Sequence, residues 1–129
     1  MYKVSDLFTI IRNGLSVSKK EVTVSHSNFK ESIVKVLVDE GYLSSYRVKD
    51  IKNNKKLLVI TLKYKDKKSV IDQISVSSKP GNRHYIQKQN IPKVLNGYGI
   101  SILSTSRGVI TGKQARKLNV GGELLGVIY

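Results

Sequence analysis

At 129 residues, 40% of them hydrophobic, the chain is long enough to bury about two-thirds of its unfolded surface and to fold without staples. Its 23 Lys and Arg against 9 Asp and Glu give a formal net charge of +14, which points to a polyanionic partner, nucleic acid before an anionic membrane surface. The absence of cysteine excludes disulfides and thiolate chemistry, and no apolar run approaches the ~20 residues that cross a bilayer.

The first residues, Met1–Asp6, lack the charged-then-apolar pattern of a signal peptide, so the chain is expected to work where it is made. Val4, Leu7, Phe8, Ile11 and Leu15 recur at helical spacing, with Ser5 as candidate cap and Gly14 near the helix end. Glu21–Ser25 alternates as a strand does. A second helix follows Ser27, its apolar face made by Phe29, Ile33, Val36 and Leu37, and Gly41 stands where a left-handed cap is needed. Residues 45–52 and 56–64 read as strands around Asn53-Asn54, a pair that tolerates positive φ. Lys65, Lys67 and Lys68 read as a charged turn that needs no ligand. Residues 70–77 alternate as one more strand.

The run Lys79-Pro80-Gly81-Asn82 is a turn with a mechanism, because Pro presets φ and Gly supplies the left-handed position. The lobe boundary is placed here. Beyond it residues 83–86 extend, Pro92 opens a short helix closed by Gly97, and residues 100–103 and 108–111 are strands. Residues 113–117 make one or two helical turns and 124–128 close the chain as a strand. The expected fold is α+β in two small lobes: helix, strand, helix and hairpin over residues 1–77, and a mostly β lobe with short helices over 78–129. Each carries a net charge of +7, but the second reaches it with 8 Lys and Arg against a single acid, Glu123.

Catalytic readings fail on spacing. Gly112-Lys113 lacks the other residues of a phosphate loop, since positions 107 and 114 are Arg and Gln. His26 and His84 fall in no metal-ligand spacing, no nucleophile elbow is present, and Gly97-Tyr98-Gly99 lacks the third glycine of a dinucleotide site. Neither an enzyme, a cofactor, a metal nor a small-molecule substrate is therefore expected. The sharpest feature is Ser104-Thr105-Ser106, three hydroxyls expected in a loop after an apolar strand. They suit ribose, phosphate and base edges together, or else they cap their own turn. Arg107 adds a phosphate contact and Gly108 allows close backbone approach. Gly121-Gly122-Glu123 reads either as a plain turn or as a contact whose glycines permit an unusual backbone. A carboxylate in so basic a region repels phosphate, so it pairs with a cation or accepts from a base amino group or a 2′-hydroxyl. Tyr85 is a stacking platform or a core aromatic, with Lys79, Arg83 and Lys88 around it.

The run from Ser104 to Glu123, with Ala115-Arg116 and Val120-Gly-Gly-Glu in phase, closely resembles the C-terminal signature of the bacterial-type eighth small-subunit ribosomal protein. The similarity extends through Lys79-Pro80-Gly81, Arg83, Tyr85, Pro92 and Gly97 to Asp6, Ile11-Arg-Asn-Gly14, Leu37 and Glu40-Gly-Tyr42, in order along essentially the whole chain. The resemblance implies a structural protein of the small ribosomal subunit that binds the central domain of its RNA, in the bacterial cytoplasm or an organelle. It implies that Ser104, Thr105, Ser106, Gly121, Gly122 and Glu123 lie together and engage the minor-groove side of a distorted RNA helix, with Tyr85 nearby. Arg12, Asn13 and Lys30 match positions for backbone contacts from the first lobe, and the fifth small-subunit protein is the implied neighbour. The alternative it leaves is an RNA-binding translational repressor acting off the ribosome. Gly112 departs from the family pattern, which predicts a poorly capped start to the next helix.

Overall fold

Short polar residues set the element boundaries of this protein, whose computed structural model describes residues 2–77, 85–91 and 99–129. Contacts group residues 6–70 into one compact unit and residues 71–129, with the first five, into another.

Helix α1 (Tyr2–Ser16), which belongs to the 6–70 unit from Asp6 onward, begins before Ser5, which lies inside it rather than capping it. Its apolar stripe, Leu7, Phe8 and Ile11, is fully buried, each side chain contributing about 1.5–3 kcal/mol. Near its end Gly14 comes so close to β1 (Glu21–Ser25) that an added Cβ would lie 2.6 Å from Val22 Cγ1. Helix α2 (Asn28–Asp39) starts at Ser27, whose hydroxyl accepts from Lys30 N at 3.1 Å. It stops at Gly41, whose φ of +84° returns Tyr42 N to the Leu37 carbonyl. Strands β2 (Leu43–Asp50) and β3 (Lys56–Leu62) follow, joined through Asn53 and Asn54, both left-handed as expected. They form an antiparallel sheet in the order β1-β3-β2, with β3, the most apolar strand, in the middle. A second, smaller hairpin, β4 (Tyr64–Lys65) with β5 (Lys68–Ser69), stands where sequence gave only a charged turn.

The 71–129 unit is a five-stranded antiparallel sheet. Its path is β6 (Ile74–Val76), β10 (Gly122–Ile128), β8 (Ile100–Thr105) and β9 (Gly108–Thr111), with β7 (Tyr85–Ile86) also paired to β10. Sequence extended a strand over 70–77 and grouped it with the first lobe; the strand is only β6, and it pairs with β10. Asp72 N and Gln73 N donate to the Tyr129 carbonyl at 2.7 and 2.8 Å, fastening the end of β10. A 3-10 turn covers Lys88–Asn90, and helix α3 (Gly112–Leu118) connects β9 to β10. Ile91, Leu103 and Ala115 form a core between α3 and the sheet, with Ile86, Ile110, Val120 and Leu124 packed around it. The start of α3 is well capped, against expectation: Thr111 Oγ1 accepts from Gln114 N, and Gln114 Oε1 accepts from Thr111 N at 3.0 Å. Gly112 serves packing instead, because a Cβ there would strike Ser101 Oγ and lie 2.8 Å from Ile91 Cγ2. The Lys79–Asn82 turn and the Pro92–Gly97 helix fall outside the described residues.

Candidate nucleic-acid interface

The register of β10 brings together residues that are far apart in sequence. Glu123 pairs with Tyr85 of β7 on one side and with Ser104 of β8 on the other, and Ser104 pairs in turn with Val109 of β9. Directly opposed residues share a face, so Tyr85, Glu123 and Ser104 form a row across three strands. Leu124, Leu103 and Ile110 make the next row and point the other way, into the α3 core. Tyr85 is 72% exposed, so it is not the core aromatic that its strand position allowed, while Glu123 and Ser104 are half-buried.

The hydroxyl triplet does not stand in one loop. Ser104 and Thr105 are the last residues of β8, and Ser106 with Arg107 forms the exposed tip of the β8–β9 hairpin. Thr105 is committed to that tip: its Oγ1 donates to the Gly108 carbonyl at 2.9 Å and accepts from Arg107 N at 3.0 Å. The hairpin closes through Gly108 at φ +98°, the left-handed residue that a tight reversal of this kind uses. Self-capping and a presented surface therefore coexist. Thr105 organises the turn and leaves the side chains of Ser106 and Arg107 outside it.

The two glycines before Glu123 work differently from the expectation. Neither Gly121 nor Gly122 has a positive φ. Gly122 is required by space, since a Cβ there would strike the Ser104 carbonyl oxygen and lie 2.7 Å from Thr105 Cγ2. The Thr105 methyl occupies the position that a side chain at 122 would fill. This close pairing of β10 with β8 fixes Glu123 beside Ser104.

The remaining sequence candidates divide. Lys79 and Arg83 lie outside the described residues, as does the side chain of Lys88, whose backbone belongs to the 3-10 turn. Arg12 and Asn13 are exposed on α1, in the other unit. Lys30 is turned inward and only 8% exposed; its ammonium donates to Ser25 O at 3.0 Å and to Ser25 Oγ at 2.9 Å, tying the start of α2 to the end of β1. Next to it, His26 Nε2 lies 2.6 Å from Glu31 Oε1 and the Tyr46 hydroxyl donates to Glu31 Oε2 at 3.3 Å. The His26 hydrogen bond holds the Glu31 carboxyl below the ordinary carboxylate range, outweighing partial burial, with smaller help from Tyr46 and the charge of Lys56. Sequence spacing carried no signal for this cluster, which depends on how the β1–α2 junction folds and on Tyr46 reaching it, or for the pairing of Tyr85 with Glu123, which depends on which strands become neighbours. Among the described residues no group of acids and histidines is arranged to hold a metal ion.

The family described as ribosomal protein S8 matches the chain over residues 3–129. The small ribosomal subunit protein uS8 of Mycoplasmopsis synoviae (strain 53) is 51% identical over 126 residues, spanning 98% of this chain and 96% of that one. The uS8 protein of Ureaplasma parvum serovar 3 is 46% identical over 127 residues, with 98% and 96% covered. That of Thioalkalivibrio sulfidiphilus (strain HL-EbGR7) is 49% identical over 125 residues, with 97% and 95% covered.

Proposed function

This chain belongs to the ribosomal protein S8 family, structural and non-catalytic components of the small ribosomal subunit, and from that premise we propose that its 71–129 unit binds small-subunit ribosomal RNA in the central domain and helps that domain assemble. The observation that carries the reading is the row Tyr85–Glu123–Ser104, set across three strands on the face turned away from the α3 core. An exposed ring offers stacking, a carboxylate only accepts, and a hydroxyl both donates and accepts. Together they fit the edge of an RNA helix that displays base amino groups and 2′-hydroxyls, which is the minor-groove side. Glu123 is the discriminating member, since phosphate repels it and a base amino group or ribose hydroxyl does not.

Ser106 and Arg107 at the hairpin tip extend this row toward the phosphates. Lys79, Arg83 and Lys88 are close to Tyr85 in the chain and supply charge. Arg12 and Asn13 remain candidates for backbone contacts from the other unit, whereas Lys30 is left out because its ammonium serves the β1–α2 junction. The fifth small-subunit protein is the neighbour this reading carries.

Binding of the purified chain to the isolated central-domain helix and to a scrambled duplex, over a salt series, tests the reading. Ser104→Ala and Glu123→Gln each lower cognate affinity about five- to tenfold, the worth of roughly one hydrogen bond, and leave the salt dependence nearly unchanged. Equal weakening on the scrambled duplex refutes the assignment.

A further inference from the structure

The +7 charge of the 6–70 unit is not spread over it. Residues 47–56 hold five cations, Arg47, Lys49, Lys52, Lys55 and Lys56, against Asp50, a net +4. The second hairpin, residues 63–68, holds four against Asp66, a net +3. The rest of the unit carries five cations and five acids and is neutral.

The end of the β2–β3 hairpin also stands clear of the core. From Ser44 onward every residue of β2 except Tyr46 is exposed, so beyond Tyr46 both of its faces are open, and β2 is an edge strand among the described residues. Tyr46 reaches α2 through Glu31, which identifies the face that looks toward the helix. Alternation puts Arg47, Lys49 and Ile51 on the opposite face, and Lys55, hydrogen-bonded across the hairpin from Ile51, joins them. Same-face neighbours along a strand are about 6.8 Å apart, comparable with the separation of successive phosphates on an RNA strand. Ile51 is 39% exposed among these cations, and Val48, on the Tyr46 side of the strand, is 40% exposed. No salt bridge among the described residues takes up a lysine of this hairpin; Arg47 alone is paired, with Glu21 at 3.4 Å. Beside the tip lies a shallow hollow lined by His26, Asn54, Lys55 and Lys56, with no acid in its lining and Glu31 behind it on His26.

We propose that residues 47–56 form an arm that makes a second, sequence-blind contact with small-subunit ribosomal RNA, separate from the Tyr85–Glu123–Ser104 row. Lys49, Lys52 and Lys55 grip phosphates, and Ile51 rests against ribose or an unstacked base. An exposed isoleucine set among unpaired lysines fits a polyanion that also has apolar faces, which nucleic acid has and an acidic peptide surface has less of. The 63–68 hairpin lacks that second feature. Its Tyr64 and the adjacent Ser69 are half-buried, and the exposed Lys65, Lys67 and Lys68 at its end need no ligand, as expected from sequence.

The arm rests on the RNA-binding reading above, and the two are tested by different readouts. The full chain is compared with two variants of equal charge loss, Lys49→Gln/Lys52→Gln/Lys55→Gln and Lys65→Gln/Lys67→Gln/Lys68→Gln. Circular dichroism and urea unfolding check that each is folded. Binding to full-length small-subunit RNA and to a scrambled RNA of the same length is measured from low to high salt. The arm variant loses about two units of the slope of log K against log salt, at roughly 0.7–0.9 per phosphate, and the hairpin variant less than one. Both keep the parent's preference for the cognate RNA. Equal slope loss in the two variants reduces the arm to diffuse charge and overturns the proposal, as does an unchanged slope. An arm variant that binds RNA like the parent but no longer enters reconstituted small subunits assigns the arm to a protein partner and also overturns it. Equal affinity of the parent for cognate and scrambled RNA refutes the specific reading instead, whatever the arm does.

Discussion

Gly122→Ala adds one methyl group where β10 lies paired against β8, and the surroundings leave it nowhere to go. The new carbon would strike the Ser104 carbonyl oxygen and stand 3.0 Å from Ser104 C and 2.7 Å from Thr105 Cγ2. Carbon pairs are comfortable at about 3.5–4.0 Å, so the Thr105 methyl is overlapped by nearly an ångström. A threonine side chain is able to rotate away, but doing so here breaks its bonds to Gly108 O and Arg107 N. The carbonyl belongs to the backbone of β8, and moving it parts the strands. Overpacking costs about 1–3 kcal/mol, and one lost ladder bond about 1 more, so the expected destabilisation is about 2–4 kcal/mol. Urea unfolding at neutral pH measures it. Thr105→Ser in the Gly122→Ala background removes the methyl clash and keeps the hydroxyl, yet leaves the carbonyl clash, so it restores the smaller part of the loss. A cost below 0.5 kcal/mol, or complete rescue by Thr105→Ser, would show that the carbonyl contact does not decide the identity of residue 122. Where the variant still folds, its preference for cognate RNA falls too, because Glu123 moves relative to Ser104.

Two further outcomes concern the 6–70 unit. Glu31→Gln destabilises the chain by about 1 kcal/mol at pH 7, a low figure for a charged hydrogen bond because a third of the side chain is exposed. Glu31 is held below its unfolded pKa, so its contribution is complete above about pH 4.3 and is lost as pH falls through the lowered folded value. The gap between parent and variant in urea midpoint therefore closes on acidification below that point, and a gap independent of pH refutes the role. Lys67 sits at φ +66°, the second left-handed position of a two-residue hairpin loop where glycine is favoured. Lys67→Gly therefore raises stability by about 0.5–1 kcal/mol, seen as a higher urea midpoint; a lower midpoint contradicts the assignment of strain.

Local chemistry was legible where a single residue decides the backbone. Ser27 as cap, Gly41 as left-handed stop, the Asn53-Asn54 reversal and the apolar stripe of α1 are all readable because each acts within a few residues of itself. The same locality explains the misreadings. Ser5 looked like a cap because it precedes an apolar run, but the helical pattern extends back to Tyr2. Gly112 looked like a missing cap because sequence shows neither Ser101 nor Ile91 pressing on it. Gly122 looked like a turn glycine because its steric conflict is with a strand 17 residues earlier. The residues of the candidate row stand in the signature, and the resemblance implies that they lie together, but the pairing of Glu123 with both Tyr85 and Ser104 requires the strand order. The net charge of each lobe does not single out residues 47–56, and only the burial pattern of β2 separates a protruding hairpin from a solvated face.

On the proposed function, the places of the row and the arm in their sheets suit what each is asked to do. Reading by hydrogen bonds needs donor and acceptor held within a few tenths of an ångström, because such bonds weaken steeply outside about 2.7–3.2 Å. The row Tyr85–Glu123–Ser104 meets that demand through strands that are themselves held from both sides: β10 between β7 and β8, and β8 between β10 and β9. Attraction of a lysine to phosphate falls off gently with distance and tolerates a poorly defined side chain. An edge strand exposed on both faces is adequate for that, and its unpaired side is protected from strand-to-strand association by the same lysines. Substitutions in the row therefore change which RNA is chosen, substitutions in the arm change how strongly salt competes, and a double variant of Glu123→Gln with the arm triple shows both effects added without interaction.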